Sequence, residues 1–354
     1  MFCEGASCFL QLLVHTGIGL VPNFVWATSG ENPRLFASIA PGYLTLIEEG
    51  WQDNAGKMAA IQQQAETKLL TDMANKIPKE LAGLTVLRNV RIFDSKTTKV
   101  GSASDVYLLR GKITSIVPTG TLNTPVQNDI DGKGRIVLPG LFDMHGHISR
   151  WEGPLHLAAG VTTLRDMGND NATIQAIIDE TQHQQLLAPT VVPTGFLEGE
   201  SPFSARNGFV VKDLAGAKAA IDWYAAHGYP QLKIYNSFPK AILKDTVAYA
   251  HQRGIRVSGH VPAFLKAEDV IAAGFDEIQH INQLLLNFLV KPDTDTRTLE
   301  RFYLPAKQVA SLDLQGKAVQ DYIKLMKNKG IVVDPTLATF DFLKKVDGTV
   351  GDPW

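Results

Sequence analysis

The chain has 354 residues, which is too long for one small module and fits one large domain with an appendage. Apolar residues make up 45% and charged residues 20%, which excludes disorder, collagen and coiled coil as descriptions of the whole chain. Lysine and arginine (34) nearly balance aspartate and glutamate (36) without a long basic run, so no nucleic-acid partner is predicted. The two cysteines, Cys3 and Cys8, leave the rest of the chain without a disulfide framework or a cysteine-ligated zinc site.

The N-terminal region combines an apolar stretch with a helical one. Residues 8–27 end in small residues, as a secretory leader does, so residues 1–30 are interpreted as a candidate leader segment. The absence of Lys or Arg before Arg34 argues against export, and both an exported or periplasmic and a cytoplasmic location stay open. The stretch is too interrupted to predict a membrane span. Residues 31–83 are interpreted as a helical N-terminal extension, because 54–76 is rich in Ala, Gln, Lys and Leu and lacks proline.

Two further segments follow in the sequence. Short β-rich runs separated by turn residues occupy 84–137 and predict a small β-sandwich. From 138 to 354, short apolar runs alternate with helical stretches, which is typical of βα units around a parallel sheet. We therefore expect an α/β fold, a (β/α)8 TIM-type barrel with seven strands visible and the eighth missing. The predicted barrel strands are Leu141–His145, Val161–Asp166, Thr190–Thr194, Gln231–Tyr235, Ile255–His260, Glu277–His280 and Ile331–Thr336.

The sharpest chemical signal is a pair of histidines at the end of the first predicted barrel strand, in the run DMHGH. Residues two apart on a strand point to the same face, so His145 and His147 can converge on one metal ion. Asp143, two residues earlier, is predicted to orient one of these ligands. Two surface histidines in a loop are the alternative interpretation.

Three more candidate ligands lie at the ends of later predicted strands. His260 ends the fifth strand and His280 ends the sixth, where barrel enzymes place their sites, although an isolated histidine is more often a core or surface residue. Lys233 lies in an apolar run at the end of the fourth strand, where an unpaired ammonium is costly, unless the side chain faces outward or is ion-paired. Nitrogen and oxygen donors suit zinc best, with manganese, iron, cobalt or nickel as alternatives.

The text PGLFDMHGH resembles the first barrel strand of the amidohydrolase superfamily, which reads PG-x-x-D-x-H-x-H and follows a small β-sandwich. The resemblance covers residues 84–340. In its general sequence pattern, the chain is most similar to the imidazolonepropionase and prolidase-like branch. It implies a (β/α)8 barrel that holds one or two divalent metals, most simply two zinc ions. His145 and His147 are then the expected ligands of the first metal and His260 and His280 those of the second, with a carboxylated Lys233 shared between them.

The chain departs from the family pattern at its C-terminal end. The superfamily carries an Asp at the end of the eighth strand, which binds the first metal and takes a proton from the attacking water, and no residue here is predicted in that place. Asp334 lies inside the seventh strand, and Asp341, Asp347 and Asp352 lie in or near a glycine-containing tail, so none is predicted as the general base. An open barrel exposes two sheet edges, so a homo-oligomer stays open as the assembly.

Several weaker candidates surround these residues. Tyr235 is placed to donate a hydrogen bond to a substrate carbonyl or, equally, to pack in the barrel. Arg165 and Asp166 are placed to bind a substrate carboxylate or to pair with each other. The polar loop at residues 197–208 and the long insertion Gln283–Lys329 follow the third and sixth strands, where loops of barrel enzymes set substrate choice.

These observations favour a metal-dependent hydrolase that cleaves a C–N bond of an amide, a cyclic amide or a dipeptide. A small-molecule amide or peptide is the expected partner. A deaminase of the same superfamily is the nearest enzymatic alternative, since such deaminases typically use one metal and lack the bridging lysine. The third hypothesis is a truncated, catalytically silent chain that serves as a metal-binding scaffold, because the general-base Asp is not found.

Overall fold

The computed structural model describes residues 9–40 and 44–344, which form two compact units. The first unit holds the described residues up to Leu141 together with Arg150–Thr162 and Thr181–Ala188. The second holds Phe142–Ser149, Thr163–Glu180 and the described residues from Pro189 onward. In the described part of the chain, no helix is both long enough and apolar enough to cross a membrane.

The first unit begins with a four-stranded antiparallel sheet that the sequence did not predict. Its strands are β1 (Leu10–His15), β2 (Asn23–Thr28), β3 (Leu35–Ala40) and β4 (Leu44–Ile47), paired in that order. The predicted helix is present as α1 (Ala55–Lys76), and its Met58 shares a buried cluster with Trp26 and Phe36 of the sheet. The described part of the candidate leader, from residue 9, therefore forms β1 and β2. The region interpreted as a helical extension contains β3 and β4 as well as the helix.

The predicted β-rich segment between residues 84 and 137 forms a five-stranded sheet in the same unit. Its strands are β5 (Thr85–Asp94), β6 (Lys99–Leu109), β7 (Lys112–Pro118), β8 (Asn128–Asp131) and β9 (Ile136–Val137). β5 is antiparallel to β6 and parallel to β8 and β9, and it buries Val86 and Val90. Buried apolar residues on β5 and β6, including Val106 and Tyr107, thus form the core of this sheet.

The barrel sheet has seven strands in its path, as the sequence predicts, and it is nearly closed. Its strands are β10 (Leu141–Gly146), β11 (Val161–Asp166), β12 (Thr190–Gly199), β14 (Gln231–Ile234), β15 (Arg256–Gly259), β16 (Glu277–Gln279) and β17 (Val332–Asp334), with β13 (Phe209–Val211) paired to β12 outside this path. From β11 onward, neighbouring strands are paired in parallel. Buried aliphatic residues such as Leu164, Leu232 and Ile278 form the core and place the polar strand ends together.

Helices connect these strands, as expected for βα units. In chain order they are α2 (Glu152–Ala158), α3 (Asn171–Gln182), α4 (Leu214–Ala226), α5 (Lys240–Gln252), α6 (Ala267–Ala273), α7 (Ile281–Leu289), α8 (Glu300–Gln308), α9 (Lys317–Lys329) and α10 (Leu337–Lys344). α7, α8 and α9 occupy the predicted insertion between the last two strands. Of the tail aspartates, Asp341 lies in α10, whereas Asp347 and Asp352 lie outside the described residues.

One glycine brings two barrel strands into close approach next to a candidate ligand. A side chain on Gly259 would place its Cβ atom 2.1 Å from the Ile234 carbonyl oxygen, and the backbone φ there is +150°. Only glycine fits this position without a shift of β14. Gly259 therefore fixes the end of β15, from which His260 follows directly.

A buried ion pair crosses the barrel interior. Arg165 on β11 donates two hydrogen bonds to the Glu277 carboxylate on β16, at 2.8 and 2.6 Å. The same guanidinium donates to the Met144 carbonyl oxygen at 2.7 Å. The Arg165 and Glu277 side chains are 11% and 3% exposed, so this pair joins three strands in a region nearly free of solvent.

Replacing Glu277 by glutamine is expected to lower the free energy of unfolding by about 3 kcal/mol, because the buried Arg165 then loses its bidentate partner and is left with the longer ion pair with Asp334, at 3.3 Å. Glu200→Gln is the matched control, since it breaks a surface ion pair with Lys212. The Glu200 side chain is 58% exposed and the Lys212 side chain is 71% exposed. The control is expected to cost less than about 1 kcal/mol. Urea unfolding followed by circular dichroism measures both. Equal stability of the two variants would show that the buried pair does not stabilise the barrel.

Candidate metal centre

The structure brings the four predicted histidines into one cluster at the carboxyl-terminal ends of the barrel strands. His145 lies on β10 and His147 just after it, with ring centroids 5.7 Å apart. The His145 ring centroid is 4.8 Å from that of His280, which follows β16. His280 is in turn 4.7 Å from His260, which follows β15. Four imidazoles from three separate strands therefore share one small region.

Hydrogen bonds to oxygen acceptors determine which ring nitrogen carries the proton. His145 Nδ1 donates to the Asp334 carboxylate at 2.6 Å, and His147 Nδ1 donates to the Gly168 carbonyl oxygen at 2.7 Å. His260 Nδ1 donates to the Asn236 side-chain oxygen at 2.7 Å. In each neutral ring the Nε2 atom then bears the lone pair that a metal requires. His260 Nε2 is buried and lacks a hydrogen-bond partner among the described residues.

His280 is held in a backbone conformation that is rare for residues other than glycine. Its φ is 66° and its ψ is 122°, and α7 begins at the next residue. Its Nδ1 atom lies 2.7 Å from the Thr336 hydroxyl. The backbone of Thr336 also has a positive φ, of 49°. Backbone strain of this kind costs free energy and is concentrated at functional sites, where the surrounding structure maintains it. The fold therefore stores strain at the position of a candidate ligand.

Burial keeps all four rings neutral near pH 7. It lowers the pKa of His280 to about 3 and the pKa of His260 well below its ordinary value, and the neighbouring Lys233 lowers both further. The pKa values of His145 and His147 are also lowered, chiefly by burial. A neutral imidazole is the form that ligates metals.

Lys233 lies within this cluster and is almost completely buried. Its side-chain nitrogen is 3.3 Å from His145 Nε2, and the residue is 2% exposed. Burial lowers the pKa of Lys233 to about 7, although Asp166 and Asp334 oppose that shift. An amine whose pKa is lowered this far is partly unprotonated near pH 7 and is then nucleophilic.

Asp334 is the residue of the centre that the sequence interpretation passed over. It ends β17, and its carboxylate accepts hydrogen bonds from His145 at 2.6 Å and from Arg165 at 3.3 Å. Burial alone would raise the pKa of this carboxyl group, but His145 and Arg165 hold it below its ordinary value. The sequence indicated only that it lies in the last predicted barrel strand, Ile331–Thr336, which does not show that its side chain reaches His145.

The side chains of the cluster are of the types that bind metals, but the distances between them are not those of a metal site. Within residues 9–40 and 44–344, no three His, Cys, Asp or Glu side chains are placed to hold an ion as they stand. That set leaves out Lys233, which contacts His145 directly. The chemistry of the donors nevertheless suits a divalent metal. The Nδ1 atoms of His145, His147 and His260 are bonded to oxygen, and the buried Nε2 atom of His260 has no hydrogen-bond partner among the described residues.

The remaining predicted residues have partners that the structure identifies. The Tyr235 ring packs against the His260 ring at a centroid distance of 4.2 Å. The Asp143 carboxylate accepts a hydrogen bond from the His145 backbone at 3.0 Å. Asp166 accepts backbone hydrogen bonds from Ile148 and Gly168, and Arg165 binds Glu277, a partner that the sequence did not predict. Their contacts in the structure are therefore with protein groups around the cluster.

Comparison by sequence identifies one relevant relative. A dihydroorotase from Solibacter usitatus (strain Ellin6076) is 31% identical over 155 residues, which is 39% of this chain and 34% of the relative. The chain thus spans about a third of the length of that curated relative. No family model matches the sequence.

Comparison by structure finds barrels of the same fold. A Xaa-Pro dipeptidase solved with methionine in its active site aligns with a TM-score of 0.52 at 18% identity, covering 75% of this chain and 70% of that one. The ochratoxinase of A. niger aligns with a TM-score of 0.52 at 14% identity, covering 77% of this chain and 69% of the enzyme. At these identities the likeness is one of fold.

Proposed function

We propose that the chain is a member of the amidohydrolase superfamily and a metal-dependent hydrolase that cleaves the C–N bond of an amide, a cyclic amide or a dipeptide, which its likeness to a dihydroorotase and to barrel hydrolases supports. The observation that carries this proposal is the cluster of four histidines and one buried lysine at the carboxyl-terminal ends of the barrel strands. In barrel enzymes, this face carries the chemistry.

The ligands divide by strand. We assign His145 and His147 to a first metal and His260 and His280 to a second, with zinc as the expected ion. A divalent metal at this centre supplies Lewis-acid polarisation of the substrate carbonyl and lowers the pKa of a water molecule. The protein orients the ligands, since Asp334, Gly168 and Asn236 hold the rings of His145, His147 and His260.

Lys233 is assigned as the shared ligand in carboxylated form. Its unprotonated amine attacks carbon dioxide, a bond forms between Nζ and the carbon atom, and one proton is released. The product is a carbamate, an anion with two oxygen atoms that can bridge two cations. A lysine with a pKa near 7 supports this reaction, because much of the amine is unprotonated at that pH.

Asp334 is assigned a positioning role rather than that of the general base. Its carboxylate fixes the ring orientation of His145 and is itself fixed by Arg165. The buried Lys233 favours the hydrolase over the deaminase alternative, which typically lacks such a lysine and uses one metal. The third hypothesis is a catalytically silent metal-binding scaffold. Such a scaffold would bind the same metals as the hydrolase but would not turn over a substrate.

Metal content and hydrolysis together test this proposal. Protein produced with zinc and bicarbonate is expected to hold about two zinc ions per folded chain by inductively coupled plasma mass spectrometry. It is also expected to hydrolyse at least one member of a panel of dipeptides, N-acyl amino acids and cyclic amides, and to lose that activity with a chelator. One metal with ammonia release from an amino-substituted ring would indicate the deaminase. Two metals without turnover would indicate the scaffold, and a metal-free chain would contradict the metal centre.

A further inference from the structure

Two half-exposed phenylalanines and one arginine form a cluster on the face of the barrel that carries the metal centre. The Arg297 guanidinium lies 5.1 Å from the ring centroid of Phe203 and 5.2 Å from that of Phe264. Phe203 is 52% exposed and Phe264 is 50% exposed. Phe203 follows β12, Phe264 follows β15 and Arg297 follows α7. We call them the aromatic clasp, and the proposed chemistry uses none of them.

The charge of the arginine is already neutralised. Asp295 accepts two hydrogen bonds from the Arg297 guanidinium, from Nε at 2.8 Å and from Nη2 at 2.7 Å. A side-on pair of this kind fixes the guanidinium plane, against which aromatic rings can pack. Because Asp295 compensates the positive charge, the clasp is not suited to bind a substrate carboxylate. Its accessible surface is the apolar surface of the two rings.

The backbone at Phe264 is strained. Its φ is +65°, which is unusual for a bulky aromatic residue and common for glycine. The surrounding structure therefore holds a half-exposed apolar ring in place at a cost in free energy. Such outliers point to a function of the residue that the fold maintains.

Hydrogen bonds attach both segments of the clasp to the metal centre. The Ala263 backbone, next to Phe264, donates to the Asn236 carbonyl oxygen at 2.8 Å, and the Asn236 side chain orients His260. The Phe203 backbone donates to the Ser201 hydroxyl at 3.0 Å, and that hydroxyl donates to Ser237 at 2.8 Å. The same short segment after β14 thus anchors both phenylalanines and a candidate metal ligand.

We propose that the aromatic clasp is a subsite for an apolar side chain, aromatic or large aliphatic, of the substrate. This inference rests on the proposed function, since it names a group of the substrate that the proposed hydrolase cleaves. An apolar group that covers the exposed surface of two rings removes that surface from water, and aromatic pairs gain further from their ring geometry. The clasp therefore selects substrates by hydrophobic contact.

The test compares binding of two ketones, 4-phenyl-2-butanone and 2-butanone, to the metal-loaded full chain. Neither contains a C–N bond, so binding is measured without turnover by ligand-observed nuclear magnetic resonance titration. Wild-type protein is expected to bind the phenyl ketone about tenfold more tightly. In Phe203→Ala and Phe264→Ala this preference is expected to fall below about threefold. Phe9→Ala, which removes a ring that is 84% exposed in the other unit, is the control and is expected to keep the full preference.

The outcomes separate the subsite from the hydrolase assignment. No preference in wild type, or a preference kept in both clasp variants, overturns the subsite whatever the hydrolysis panel shows. A preference lost in the clasp variants, together with no hydrolysis of any amide, supports the subsite and contradicts the hydrolase. Should an alanine variant lose its native circular dichroism spectrum, Phe203→Asn and Phe264→Asn replace the ring by a polar side chain, and asparagine tolerates the positive φ of residue 264. Wild-type preference in both asparagine variants would then overturn the subsite.

Discussion

Replacing His145 and His147 together by alanine is expected to reduce the metal content from about two ions per chain to at most one. Both histidines come from the end of β10, and their rings are 5.7 Å apart, so the double variant removes both protein ligands assigned to the first ion. A single remaining donor cannot hold zinc, which takes three or four protein ligands. Mass spectrometric metal analysis of the folded, dialysed protein measures the change.

The control for this variant is His183→Ala combined with His227→Ala. Both of these histidines are exposed, so the control also removes two imidazoles from the chain. It is expected to keep the wild-type metal content. Unchanged metal content in the variant of His145 and His147 would overturn the assignment of the first site, whereas equal losses in both double variants would indicate binding to surface histidines.

Replacing Lys233 by methionine is expected to abolish the metal pair and lower kcat/KM at least about 100-fold. Loss of a group that only orients a ligand already costs 10- to 100-fold, and loss of a shared ligand affects both ions. Methionine fills a similar volume, and it removes an amine that is 2% exposed and whose pKa burial lowers to about 7. The metal-free variant is therefore expected to be at least as stable to urea as metal-free wild type.

These two measurements on Lys233→Met distinguish a ligand from a structural lysine. Loss of metal with unchanged or increased stability of the metal-free chain supports the ligand role. Retention of two metals would show that Lys233 is not a ligand. In wild type, growth with labelled bicarbonate is expected to give a carbamate carbon signal by nuclear magnetic resonance, and that signal is expected to be absent in the methionine variant.

Much of the barrel could be predicted from the sequence because its strands are locally encoded. The barrel strands are short segments that alternate with helical stretches, and β11 was predicted with the same bounds that the structure has, Val161–Asp166. The histidines could be placed because strand ends meet on one face of a barrel, wherever they lie along the chain. Periodicity and position were sufficient for both inferences.

The features that were missed depend on partners far away in sequence. The partner of Arg165 is Glu277, more than 100 residues away, and no local pattern pairs them. Asp334 could not be chosen among the C-terminal aspartates, because its role follows from the approach of β17 to His145. The sheet of β1 to β4 was missed because glycines and prolines interrupt the apolar stretch, so its strands are recognisable only once paired.

The side chains of Arg165, Glu277 and Asp334 set the charge at which the proposed carboxylation of Lys233 would link metal loading to uptake of carbon dioxide. One guanidinium against two carboxylates leaves one negative charge beside four neutral imidazoles. The proposed carboxylation of Lys233 would add a second negative charge, which would raise the affinity of the centre for a dication. By thermodynamic reciprocity, a bound dication raises the affinity of Lys233 for carbon dioxide by the same factor. Metal and carbon dioxide are therefore expected to act as positive effectors of each other at this centre.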